Sequence, residues 1–145
     1  MATKMPPIPP AMPTPWQIQE WNHAIKKNLD WGLYTPTLSN TTNVAASTAY
    51  ECQWSRIGDN IIVSGAIDVD PTAGTAATVV GISLPVPSKF VNNFNLSGTA
   101  KRFANDQVSG VMLADTTNSR ASLYFYNDAD ASNTSWYFTF MYRIM

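Results

Sequence analysis

Apolar residues follow two different periods along the chain. Ile18, Trp21, Ile25 and either Asn28 or Leu29 recur every three or four positions, which predicts one apolar stripe on a helix of about four turns. Thr14 is placed to cap that helix, Pro15 suits its first position, and Gly32 is a stop signal. The helix segment is therefore 16–32. So short a helix is marginal alone. Trp16, Ile18, Trp21, Ile25 and Leu29 must pack on the chain's own β domain or on copies of themselves. A three-helix bundle at the base of a trimer would satisfy them.

From 33 to 145 the period changes to two, as half-buried strands require. Ile61, Val63, Ile67 and Val69 share one face. Ala121, Leu123 and Phe125 alternate with Ser122, Tyr124 and Tyr126, and Trp136, Phe138, Phe140 and Tyr142 alternate with Tyr137, Thr139, Met141 and Arg143. Cys52 alternates with Tyr50 and Trp54 and reads as a small buried residue. Strands are predicted near 34–38, 49–57, 60–69, 78–84, 97–104, 107–114, 120–127 and 134–143. Turns fall at Arg56–Asn60, Asn105–Asp106, Asp115–Ser119 and Asp128–Asn133, and Pro85-Val86-Pro87 reads as a rigid crossing. Short strands with turns at this spacing predict an all-β fold, an eight-stranded antiparallel jelly-roll sandwich.

Residues 1–15 fit neither period. Six of the ten prolines lie there, so the segment is expected to be extended, largely polyproline II. Met5, Ile8 and Met12 have no local core to join. Together with Pro6, Pro7, Pro9 and Pro10 they predict an arm that docks in a groove on another subunit.

Composition narrows the functional classes. Asn, Ser and Thr number 39, against 19 for Asp, Glu, Lys and Arg, so the solvated surface is mostly amide and hydroxyl. A net charge of −1 leaves no basic excess for nucleic acid. No secretory leader is visible, and no stretch approaches a membrane span, so a soluble product is expected. The single cysteine cannot form an internal disulfide or a cysteine metal cluster.

Candidate chemistry is sparse. His23, the one histidine, lies in the helix without triad or zinc partners nearby in sequence. Asp68 and Asp70 share a face, and Asp59 could approach them across a hairpin; Asp128 and Asp130 form a second oxygen cluster. Both read better as turn and strand-end residues than as acid–base or calcium sites. No phosphate-loop, dinucleotide, nucleophile-elbow or metalloprotease motif occurs. The expectation is no enzyme, no cofactor and no metal. The outward-facing Tyr124, Tyr126 and Tyr137 predict a surface for a neighbouring subunit or a glycan.

Several segments resemble tailed-bacteriophage virion structural proteins. They are the run from Tyr34 to Val44, Arg56-Ile57-Gly58-Asp59, Val63-Ser64-Gly65, the Asp68–Thr72 run, Gly81-Ile82-Ser83-Leu84-Pro85 and the ending from Tyr137 to Ile144. The likeness spans most of 33–145 and carries no catalytic residues. Together with the arm, the helix stripe and the polar uncharged surface, it leads to the expectation of a short tail fibre or similar appendage, homotrimeric, held by its arm, with the β domain exposed for host contact. A capsid decoration (cement) protein is the alternative. The implied partners are copies of the chain, another protein of the tail or capsid, and a host-surface glycan. The implied location is the virion, after synthesis in the host cytoplasm. This chain departs from the fibre pattern in having no long shaft before the domain.

Overall fold

A computed structural model describes residues 4–6, 14–103 and 108–145. The helix α1 spans Pro15–Asn28. The Thr14 hydroxyl accepts from the Gln17 N–H, and the Gln17 side chain accepts from the Thr14 N–H, a reciprocal capping box. The expected end at Gly32 is wrong: the helix stops at Asn28, whose amide donates back to the Ala24 carbonyl while its own carbonyl accepts from Gly58. Leu29, Trp31 and Leu33 also have a period of two, and strand pairing captures them. β1 is Leu29–Tyr34.

Nine further strands follow among the described residues: β2 Leu38–Thr42, β3 Val44–Ala49, β4 Cys52–Ile57, β5 Asn60–Pro71, β6 Ala77–Ile82, β7 Leu96–Arg102, β8 Ser109–Asp115, β9 Arg120–Tyr126 and β10 Thr134–Arg143. Ten strands replace the expected eight, for a local reason. The stretch read as ending one strand at Leu38 and starting the next at Ala49 instead holds β2 and β3, built from Ser, Thr, Asn and Ala without an apolar alternation. The turn expected at Asn105–Asp106 lies outside the described residues.

All ten strands join one antiparallel sheet in the order β1-β4-β5-β10-β7-β8-β9-β6-β2, with β3 on β5. β2 pairs with β6, and the chain kinks at Asn43 (φ 54°) so that β3 pairs with β5. The pairing returns on itself, and the sheet curls into a ring with β4 and β1 as a spur. The order β10-β7-β8-β9 is a Greek key, and β6-β9-β8-β7 is a second one sharing the same meander.

β5 organises this ring. It pairs along one edge with β10 and along the other with β4 and then β3. A two-residue turn, Gly58-Asp59, joins it to β4, with Gly58 at φ 63°, a conformation glycine adopts without strain. Inside lie Ile61, Val63, Ile67, Val69, Leu123, Phe125, Trp136 and Phe140. The alternations read from β5, β9 and β10 hold throughout. Cys52 is buried as expected, but Tyr50 lies outside the strand and is exposed.

Candidate functional site

Because β1, β4, β5, β10 and β7 pair in register, their outward residues form rows across the sheet. The row nearest α1 begins Leu29, Ile57, Asn60, Arg143; the next begins Trp31, Ser55, Ile62, Met141. Leu29, Trp31, Ile57 and Met141 are all exposed. The third row reads Leu33, Gln53, Ser64, Thr139, Thr99, and beyond it Ala66, Tyr137, Lys101 and Ser109 align. The exposed apolar residues thus cluster beside the helix, among Asn60, Arg143 and Ser55, while beyond Leu33 the face bears hydroxyls, an amide, Lys101 and one tyrosine.

The helix continues the apolar cluster. Only Ala24 and Asn28 are buried among its described side chains. Trp16 is 64% exposed and Ile18 46%, while Trp21 and Ile25 are half-buried. Of the two packings expected for the stripe, the chain's own sheet supplies little. Met5 is exposed, and Lys4 and Pro6 face Trp16, Glu20 and His23 across an open hollow. Of the predicted arm contacts, Pro7, Ile8, Pro9, Pro10 and Met12 lie outside the described residues. His23 is exposed on the helix.

Beyond Leu33, Tyr137 stands between two shallow hollows. Gln53, Ser64 and Ala66 line one; Thr99, Lys101 and Ser109 line the other; Thr139 borders both. The Phe103 ring meets Tyr137 at 5.8 Å with an interplanar angle of 62°. Close by, the Tyr50 hydroxyl donates to Asp68 at 2.5 Å and the Ser135 hydroxyl donates to its other carboxylate oxygen at 2.6 Å. The hydrogen bond to Asp68 is the main cause that raises the Tyr50 pKa above its ordinary value. Tyr124 and Tyr126 are exposed as expected but sit on β9, across the sheet from Tyr137. The sequence placed Tyr50 and Phe103 inside strands, Tyr50 on the face of Cys52, but each lies just past a strand end, and both are exposed.

The carboxylates do not assemble into a site. Asp59 is at the α1 end of β5, beside Arg143, and Asp68 is near the other end, so the expected approach does not occur. Asp128 pairs with the buried Arg102, which also donates to Asn127. Asp130 accepts from the Ser132 N–H, the main reason its carboxyl sits below its ordinary value. These groups fasten the 127–133 loop: Thr75 N–H donates to the Asp128 carbonyl and Asn127 N–H to Ala76. Among the described residues, no three His, Cys, Asp or Glu side chains converge to hold a metal, and no helix is long and apolar enough to cross a membrane. Compared with known proteins, the chain matches no family model, no curated protein and no solved structure.

Proposed function

We propose that this chain is a non-enzymatic virion structural protein of a tailed phage. It acts as a short fibre or similar appendage, trimeric through α1 and held by its N-terminal arm, with the β domain turned outward. One observation carries the reading: the α1 stripe is only partly covered, with Trp21 and Ile25 half-buried while Trp16 and Ile18 stay exposed. It runs on into the exposed Leu29, Trp31, Leu33 and Ile57. A 14-residue helix of this kind gains stability mainly by burying its apolar face, and copies of the same helix offer a matching face. The jelly-roll reading is supported by the two Greek keys that share β7, β8 and β9, since a jelly roll is two such keys.

Mass measurement of the purified full chain tests the assembly. Three chains per particle are expected, and Trp16→Ser with Ile18→Ser should yield monomers that keep their β spectrum. A monomeric wild-type chain would sink the trimer. The virion role has its own test: deleting residues 1–15 should abolish incorporation into particles without unfolding the domain, and normal incorporation would refute the anchor.

A further inference from the structure

We infer that the two hollows flanking Tyr137 form a binding site for a neutral oligosaccharide, with one sugar ring stacked on the tyrosine. This deepens the outward role proposed for the β domain and rests on it for biological meaning, though the chemistry stands apart from assembly.

Three features select the ligand. Tyr137 is 52% exposed, and its ring meets that of Phe103. The apolar face of a pyranose ring packs on such an exposed aromatic surface. Most of the surrounding polar groups are neutral, the Gln53 amide and the hydroxyls of Ser64, Thr139, Thr99 and Ser109, with Glu51 and Lys101 the two charged members. The Gln53 amide donates to the Ser64 hydroxyl at 3.0 Å, so part of this polar set is already oriented. Such groups suit sugar hydroxyls, which both donate and accept. Finally, Glu51 and Lys101 lie on opposite sides of Tyr137, so neither sign of charge dominates and a polyanion gains nothing.

A peptide fits less well. β4, β5, β10 and β7 each pair on both sides, so an added strand could pair only at the outer edge of β1, beyond Leu33 and away from Tyr137. A second copy of this chain is better served by the apolar rows beside α1. Ala66, beside Gly65, leaves room for one of the depressions.

The full chain should be applied to a glycan array carrying neutral and acidic oligosaccharides, with the mass of each sample measured in parallel. Neutral glycans are expected to be retained. Tyr137→Ala should weaken the best of them by about tenfold, the worth of one good aromatic contact. Tyr137→Phe should restore retention, and Tyr124→Ala should leave it unchanged. The inference is overturned if no glycan binds, if only acidic ones bind, or if Tyr137→Ala binds normally. It also fails if Tyr137→Ala breaks the assembly, which would make the hollows a contact between copies. An intact trimer without glycan binding removes this inference alone. A glycan-binding monomer removes the trimer and leaves the site.

Discussion

Cys52 and Gly65 meet inside the sheet, and the fit between them is tight. A Cβ added at Gly65 would overlap the Cys52 sulfur and come within 2.7 Å of its Cβ. Both are core atoms with no room to retreat. Gly65→Ala should therefore destabilise the domain by about 1–3 kcal/mol, the usual cost of overpacking. The urea midpoint measures it, and an unchanged midpoint would show that the neighbouring strands yield. Burial raises the Cys52 thiol pKa above its ordinary value, consistent with an inert structural cysteine. Its burial was legible because Cys52 sits among alternating apolar residues. The closeness to Gly65 was not, since β4–β5 register decides which residues oppose each other. The candidate sugar site was half legible for the same reason. Tyr137 could be placed outward from alternation alone, whereas Gln53, Ser64, Thr99 and Ser109 become its neighbours only through pairing among four strands.

At the level of elements, strands with a clear alternation were readable and strands without one were not. β5, β9 and β10 each combine apolar residues on one face with polar or aromatic residues on the other. β2 and β3 carry Ser, Thr, Asn and Ala, whose pairing is set by the ring they close. The helix was readable at its start, where Thr14, Pro15 and Gln17 act locally. It was misread at its end, where Leu29, Trp31 and Leu33 fit both periods and pairing with β4 decides the outcome. Because α1 contributes only Ala24 and Asn28 to buried positions, the sheet should stand without it. A chain beginning at Leu29 is expected to keep the β-type circular dichroism of the full protein and to run as a monomer. A collapse of that spectrum would mean that the helix is part of the folding unit.

Across the whole molecule, opposite pH limits follow from one carboxyl and two buried tyrosines. Burial by itself would raise the Asp115 carboxyl, but hydrogen bonds from Asn118 and Arg120 and the Arg120 charge outweigh it and hold the pKa below its ordinary value. The unfolded chain then takes up this proton first as pH falls. The contribution is complete above the unfolded value of about 3.9 and is lost as pH drops through the folded one. On the alkaline side, burial pushes the Tyr142 hydroxyl up to about 12 and raises Tyr34 as well. Their contribution is complete below the unfolded value of about 10 and is lost as pH rises towards the folded values. Melting temperature should thus fall below about pH 4 and above about pH 10. Asp115→Asn should flatten the acid limb and Tyr34→Phe the alkaline one; limbs that do not move would place the titration elsewhere. The course of β1 has a mechanical consequence. It starts at the foot of α1, beside Ile57, and runs away from the helix along β4. A tug on α1 is therefore directed along the strand, at right angles to the hydrogen bonds that join it to β4. Those bonds are loaded together in shear rather than unzipped one at a time, so the weakest-looking strand of the sheet resists a lengthwise pull far better than a sideways one.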